Sequence, residues 1–356
     1  MTRPLTRRGV AASAAAFAAV VTITAVAGCS SSASSSSGAS GSGGASGSGS
    51  ASTSSVSQAL VPVRIPDPGN SGVLAVGKKD GSLAAALAAA GGKVEWTGTA
   101  GPFAPAALEM SANELDFAQG SITSAVTALA ATPAFKLFAE QDPDHIGEGI
   151  LVPADSPIKS VQDLVGKTVA VNKGGTGEYL LRKALAAANI PTSKVTFVYL
   201  SPPETAPVLN SGKVDAWATW NQYSVAEVGL DNARFVATGA QIGSQNYSVW
   251  AVRTGFAQKY PKIVAAFYNY LHTEGQKLVS DPTEFINVFT TAGPEALNPA
   301  EVTFDAKDSA ALGTTEPISP TVASQFQNVA TFFSSEGVTK SAVTVAPYII
   351  QPGSGG

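Results

Sequence analysis

The sequence predicts an α/β protein of two lobes with a cleft between them, on three observations. Short apolar runs alternate with alanine- and leucine-rich stretches from about residue 70 onward, the spacing expected of βαβ units and a parallel sheet. The pattern runs for roughly 80 residues and restarts near residue 149, so two similar blocks are present. A segment of Ser, Gly and Ala at 30–57, uncharged and with Val56 as its one larger apolar residue, sets this body apart from an apolar N-terminus.

The elements follow in order. Val73-Leu74-Ala75-Val76-Gly77 reads as a short buried strand, ended by Lys78-Lys79-Asp80-Gly81. Ser82 is of the type that caps a helix, and 83–90 is helical in composition until Gly91-Gly92 stops it. A strand over 93–97, a helix over 103–111 and a strand over 115–118 come next, then an apolar helix over 122–131 and a strand over 135–139. The second block starts with a strand at 149–153 and a short helix ending at Gly166. It continues with a strand at 167–171, the turn Asn172-Lys173-Gly174-Gly175-Thr176-Gly177, and a helix over 178–188. Strands at 195–200, 214–218, 234–237 and 247–252 and a helix over 204–211 complete it. Over 261–278 the spacing of Ile263, Val264, Phe267, Tyr270, Leu271 and Leu278 predicts an amphipathic helix.

The N-terminus carries the parts of an export signal: Arg3, Arg7 and Arg8, an apolar run from 10 to 27, and small residues before Cys29. Val26-Ala27-Gly28-Cys29 resembles a bacterial lipobox, which implies a signal peptide at 1–28 and lipid on Cys29. Thr6-Arg7-Arg8-Gly9-Val10 is an incomplete twin-arginine pattern, so the export route stays open. Residues 29–59 are expected to form a flexible tether, because Ser and Gly cannot bury enough surface to offset their conformational entropy. With one cysteine no intrachain disulfide can form.

The 356 residues carry 22 Lys and Arg against 26 Asp and Glu, a net charge of -4 without basic clusters in the body, so nucleic acid is excluded as an expected partner. His145 and His272 are the two histidines and stand far apart in sequence. Asp142, Asp144, His145 and Glu148 read as a solvated acidic loop rather than a metal site. No Gly-x-Ser-x-Gly elbow, Walker loop or dinucleotide fingerprint is present. The expectation is therefore a binding protein without cofactor or metal, rather than an enzyme.

Several segments together resemble one family. They are Val152-Pro153-Ala154-Asp155-Ser156-Pro157-Ile158-Lys159-Ser160, Asp163-Leu164-Val165-Gly166-Lys167-Thr168-Val169-Ala170 and Ser211-Gly212-Lys213-Val214-Asp215-Ala216-Trp217-Ala218-Thr219-Trp220. Gly81-Ser82-Leu83, Val94-Glu95-Trp96, Glu114-Leu115-Asp116-Phe117 and Val343-Thr344-Val345-Ala346 fit the same pattern. The order and spacing of these segments resemble the substrate-binding lipoproteins of ABC importers for aliphatic sulfonates, taurine and nitrate. The resemblance implies a periplasmic-binding-protein fold of the two-crossover type, with 60–150 and 248–356 as lobe 1 and 151–247 as lobe 2. It also implies a small anionic ligand, most readily an aliphatic sulfonate, permease subunits as partners, and a monomer anchored by lipid on the extracytoplasmic face of the cell membrane. Nitrate, a thiamine-pyrimidine precursor or another flat heterocycle is the alternative ligand. The histidine- and iron-dependent pyrimidine synthase branch finds little support in two histidines.

Candidate ligand contacts follow from chemistry and from that fold. Gly174, Gly175, Thr176 and Gly177 lie between a strand and a helix, where open amides and the helix dipole suit an anion. Ser121 and Thr123 hold the equivalent place in the first block. Lys79, after the first strand, and Asn246, at the return to lobe 1, are further candidates. Of Trp217 and Trp220, three apart, one is expected in the core and the other on the cleft wall, with Trp220 the candidate wall and the choice left open. In the family Trp is commonly followed by Asp-Pro, whereas here Trp220 precedes Asn221-Gln222. Loss of that carboxylate argues against an aminosulfonate such as taurine.

Overall fold

Strands and helices alternate along a computed structural model that describes residues 59–99, 101–131, 134–230 and 232–354. The expected signal peptide, Cys29 and the tether as far as residue 58 lie outside the described residues. The chain enters through β1 (Val61–Asp67), whose Val63 and Ile65 are fully buried on one face. Its prolines, Pro62 and Pro66, are tolerated because β1 pairs only with β2.

The run after it is helix α1 (Val73–Asp80) rather than the expected strand. A short apolar run carries no period that separates buried helix from buried strand. Here Gly77 decides the packing: a Cβ on it would lie 2.1 Å from the Tyr270 hydroxyl oxygen, so α1 and the long helix that carries Tyr270 can approach closely. Next come α2 (Ser82–Ala89), β2 (Gly92–Thr99), α3 (Phe103–Ser111), β3 (Phe117–Ser121), α4 (Ile122–Ala131) and β4 (Phe135–Pro143).

From β5 (Gly149–Pro153) the chain builds a second sheet with β6 (Thr168–Val171), α5 (Thr176–Ala187), β7 (Thr196–Tyr199), α6 (Pro202–Asn210), β8 (Ala216–Thr219), α7 (Asn221–Gly229) and β9 (Ala233–Thr238). Ser201 and Glu204 cap α6 reciprocally, with Pro202 at its first position. The one-turn α8 (Gly239–Ile242) leads to β10 (Tyr247–Arg253), and then α9 (Thr254–Lys259) and α10 (Pro261–Ser280). Helix α10 buries Ile263, Val264, Phe267, Tyr270, Leu271 and Glu274, a stripe of helical spacing. Helices α11 (Pro299–Ala311) and α12 (Pro320–Ser335), absent from the sequence expectation, begin at Asn298 and Ser319, whose side chains accept amide hydrogen bonds.

The strands form a five-stranded sheet in the order β7-β6-β8-β5-β9, a three-stranded sheet β3-β10-β4 and the pair β1-β2. Parallel pairing, expected throughout, is confined to β1 with β2 and to β6 with β7 and β8. Strands β5 and β10 run antiparallel to their neighbours. They are the strands by which the chain passes between the sheets, without the long crossover that a parallel neighbour needs. Asp116, fully buried, ties the smaller group together: it accepts from Arg64 Nε at 2.9 Å and Arg253 Nη2 at 2.7 Å. Phe117, Phe138, Phe256, Phe267 and Trp250 form the core of this group, packed on one another in edge-on and tilted pairs. Among the described residues no helix is long and apolar enough to cross a membrane.

Candidate functional site

A cavity of about 420 Å³ lies where helix N-termini from both groups of strands meet. Its wall takes Pro102 and Phe103 from the start of α3, Ser121 from the end of β3, Ser124 from α4, Gly175 and Thr176 from the start of α5, and Trp220 and Asn221 from the start of α7. Each helix follows a strand or its turn, and its first turn carries amides without intrahelical acceptors, some of which are taken by side chains, as Gly177 N by Asn172 and Ser124 N by Ser121. Several such termini around one cavity give it a positive potential in the absence of many cations.

The polar floor is a chain of hydroxyls around Asn246. Thr123 Oγ1 donates to Asn246 Oδ1 at 2.9 Å, while Asn246 Nδ2 donates to Thr176 Oγ1 at 3.1 Å and to Glu148 Oε2 at 2.9 Å. Ser121 Oγ lies 3.1 Å from Thr176 Oγ1 and 3.0 Å from Ser124 Oγ. Because Thr123 gives its proton to Asn246, its oxygen accepts from Ser121 Oγ at 2.9 Å, and the Thr176 and Ser124 hydroxyl protons are the ones left to turn to Ser121 or to the cavity. Contacts also cross from α4 to the glycine turn, where Thr127 Oγ1 donates to the Gly174 carbonyl at 2.6 Å.

Two acids, Asp144 and Glu148, and one cation, Lys173, are part of the wall. Glu148 is 1% exposed, and burial, reinforced by the neighbouring Asp144, pushes its carboxyl well above the usual carboxylate range. Its two oxygens accept from Ser244 and Asn246. Asp308 on α11 is raised as well, by burial and by the same Asp144. Asp144 and Glu148 are buried while Asp142 and His145 are exposed, so the expected solvated acidic loop holds for two of its four residues and is corrected for the other two. Strand β5 and α11 enclose the 144–148 segment, and Asp144 Oδ1 accepts the amides of Ile146 and Gly147.

The structure gathers Ser121, Gly174, Gly175, Thr176, Trp220, Asn221 and Asn246 at the cavity. Three expected contacts stand elsewhere. Lys79 lies in the last turn of α1 and donates to the Val288 carbonyl, because this segment is helix rather than strand. Thr123 is fully buried beneath the floor, bonded to Asn246. Gly177 packs α5 onto β8, where a Cβ would meet the Ala218 carbonyl oxygen at 2.3 Å, and its amide donates to Asn172 Oδ1 at 2.7 Å. The Gly174 amide is likewise taken, by Glu178 Oε2 at 2.8 Å. The glycine amides therefore serve the turn, and the hydroxyls supply most of the donors. Sequence reasoning passed over Ser124, Lys173 and Glu148. Ser124 stands three residues after Ser121, which is the one local signal that both line a helix start.

Trp217 is buried under Leu151 and Ala170, while Trp220 lines the cavity with Tyr223 edge-on at 5.3 Å. Asn221 has φ of 36°, in the left-handed region where Asn and Asp are the commonest residues after Gly. Asn221 thus suits this backbone and leaves the position uncharged. Among the described residues no group of three or more His, Cys, Asp or Glu is placed to hold a metal ion.

Comparison with known proteins now gives these features a context. Residues 111–285 match the family described as NMT1/THI5 like. A protein of Bacillus subtilis (strain 168) named for binding aliphatic sulfonates is 30% identical over 195 residues, 54% of this chain and 58% of that protein. The taurine-binding periplasmic protein of Escherichia coli (strain K12) is 28% identical over 167 residues, 46% of this chain and 51% of that one. The chain thus spans between half and three fifths of the curated relatives it matches. Among solved structures, the alkanesulfonate-binding protein SsuA of Xanthomonas axonopodis pv. citri, bound to MOPS, superposes with a TM-score of 0.73 at 24% identity, covering 82% of this chain and 98% of that one. The desulfurization enzyme DSZB shares the fold at a TM-score of 0.55 and 15% identity, covering 82% of this chain and 97% of its own. The fold is the one seen in the SsuA structure, and residues 111–285, which build most of the cavity, are the part that matches the NMT1/THI5-like family.

Proposed function

We propose that the chain is the extracytoplasmic solute-binding lipoprotein of an ABC importer and captures an aliphatic sulfonate. The observation that carries this reading is the hydroxyl floor of Ser121, Ser124 and Thr176 at the meeting of the α4 and α5 N-termini. Hydroxyl donors and helix dipoles suit a tetrahedral oxyanion of low basicity, which takes hydrogen bonds without taking a proton. Lys173 adds one positive charge to the wall, and the raised pKa of the buried Glu148 lessens the repulsion that a carboxylate would exert. Phe103, Ala107 and Trp220 give an apolar wall for the organic part. The names of the relatives point to the same ligand class.

In this reading residues 60–150 with 248–356 and residues 151–247 are two lobes that close on the ligand, with Asn246 at the hinge. The contacts Ser121···Thr176 and Thr127–Gly174 then form on closure. The ligand contacts are Ser121, Ser124, Gly175, Thr176, Trp220 and Asn221, with Asn246 holding the floor. Lipid on Cys29 keeps a monomer near the membrane, where permease subunits receive the ligand unchanged. Thermal shift of the purified protein against a panel of sulfonates, nitrate, phosphate and carboxylates tests this. Stabilisation by alkanesulfonates is expected, and no shift across the panel overturns the reading.

The edge-on pair of Trp220 and Tyr223 favours a second reading, a flat heterocycle stacked on the indole. Native mass spectrometry of the freshly purified protein separates the two. A retained alkanesulfonate of unaltered mass supports the first, and a retained ultraviolet-absorbing ring supports the second.

A further inference from the structure

A second cavity, of about 530 Å³, lies beside the first, and both are lined by Gly101, Pro102 and Gln119. Helix α3 is the partition. Its Phe103, Ala104, Ala107 and Leu108 face the first cavity, while Pro105, Ala106 and Glu109 face the second. Each set recurs at three- and four-residue spacing, so the two sets lie on different sides of one helix. The second cavity is walled mainly by Pro66, Val73, Leu74, Ala106, Ala118 and Trp250. Glu109 is the one charged side chain among its described lining residues, and no hydroxyl floor comparable to that of the first exists there. The chemistry does not suit a second anion.

We infer that the second cavity is a tail subsite, so that the ligand is an elongated amphiphile whose acidic head sits at Ser121 and Thr176 and whose apolar chain passes Gly101 and Pro102 into the space under Trp250. This rests on the sulfonate reading of the first cavity and names the part of that class the protein prefers. Two features support a tail over an independent guest. The cavities meet at residues without bulk, Gly101 and Pro102, with the Gln119 amide beside them; and each is of a size that holds a small molecule, so a short sulfonate leaves the second unfilled. An alkyl chain threaded through is itself removed from water against Leu74, Ala106 and Trp250. Each methylene so buried tightens binding about fourfold.

Calorimetric titration of the intact protein with linear alkanesulfonates from ethane- to decanesulfonate reads this directly. Affinity should rise about fourfold for each carbon beyond the length that fills the first cavity. Ala106→Phe, which fills the second cavity, should abolish that rise and leave ethanesulfonate affinity within about twofold, less than the effect of one methylene. Independently of any cavity-filling variant, a decanesulfonate brominated at its tail end should quench the fluorescence that remains in Trp220→Phe, and the further change Trp250→Phe should remove that quenching. Ethanesulfonate binding with no gain along the series overturns the tail subsite and leaves the sulfonate reading standing. So does a gain that survives Ala106→Phe. Binding of no member of the series overturns both.

Discussion

Asn246 is the residue through which the site is most exposed to a single change. Its side chain is 4% exposed and joins Thr123, Thr176 and Glu148 by hydrogen bonds of 2.9, 3.1 and 2.9 Å. Asn246→Ala leaves three buried polar atoms short of a partner. Each such orphan costs about 1–3 kcal/mol, and because the three share one void that can admit water, a net loss of about 2–4 kcal/mol is expected. Urea unfolding reads it as a lower midpoint at unchanged slope. The same change frees the Thr176 hydroxyl, so affinity for ethanesulfonate should fall at least about tenfold. Asn246→Asp keeps the shape but sets a second acid against Glu148. Its folded-state pKa must lie above the unfolded value, so the lost stability and binding return as pH is lowered toward 5. An Asn246→Ala protein within about 0.5 kcal/mol of wild type, with unchanged affinity, refutes the network as the basis of the site.

Three further outcomes are expected. Glu140 is buried and lies near Asp142 and Glu316, which push its carboxyl up to about 7. The folded state then holds a proton that the unfolded state releases, so stability falls as pH rises from about 4.5 to about 7, by about 3 kcal/mol in all. Unfolding midpoints for Glu140→Gln should lack most of that slope. Trp220→Ala removes the aromatic wall of the cavity and should weaken alkanesulfonate binding about tenfold, with a change in melting temperature too small to account for it. Gly77→Ala drives a methyl toward the Tyr270 hydroxyl and Leu83 Cβ, and should cost about 1–3 kcal/mol by thermal unfolding.

Much of the architecture was legible because its helices are long enough to show a period. The stripe of Ile263, Val264, Phe267, Tyr270 and Leu271 and the apolar run at 122–131 fall where helical spacing put them. Val73 to Gly77 misled, since five apolar residues fit either state and the choice depends on Tyr270, almost 200 residues away, approaching Gly77. Strand β1 was hidden by Pro62 and Pro66, and α11 and α12 by polar faces that weaken the stripe.

The site was legible in place but less so in chemistry. A glycine-rich turn before a helix marks a wall of the cavity, yet local sequence cannot show that Glu178 and Asn172 consume its amides. Burial of Glu148 is a tertiary effect of β5, Ser244 and Asn246 closing over it, and an acid-rich run reads as solvated until those neighbours are known. Ser124 and Lys173 were visible only as neighbours of candidates. Their roles depend on α4 and α5 being brought nose to nose, which no spacing within either block encodes.

A crystal structure of the intact protein grown with ethanesulfonate tests the binding claim most directly. The account predicts sulfonate oxygens within hydrogen-bond reach of Ser121, Ser124 and Thr176, with the ethyl group toward Phe103 and Trp220. A sulfonate seated away from these hydroxyls, or a cavity that stays empty while the anion binds elsewhere, contradicts it.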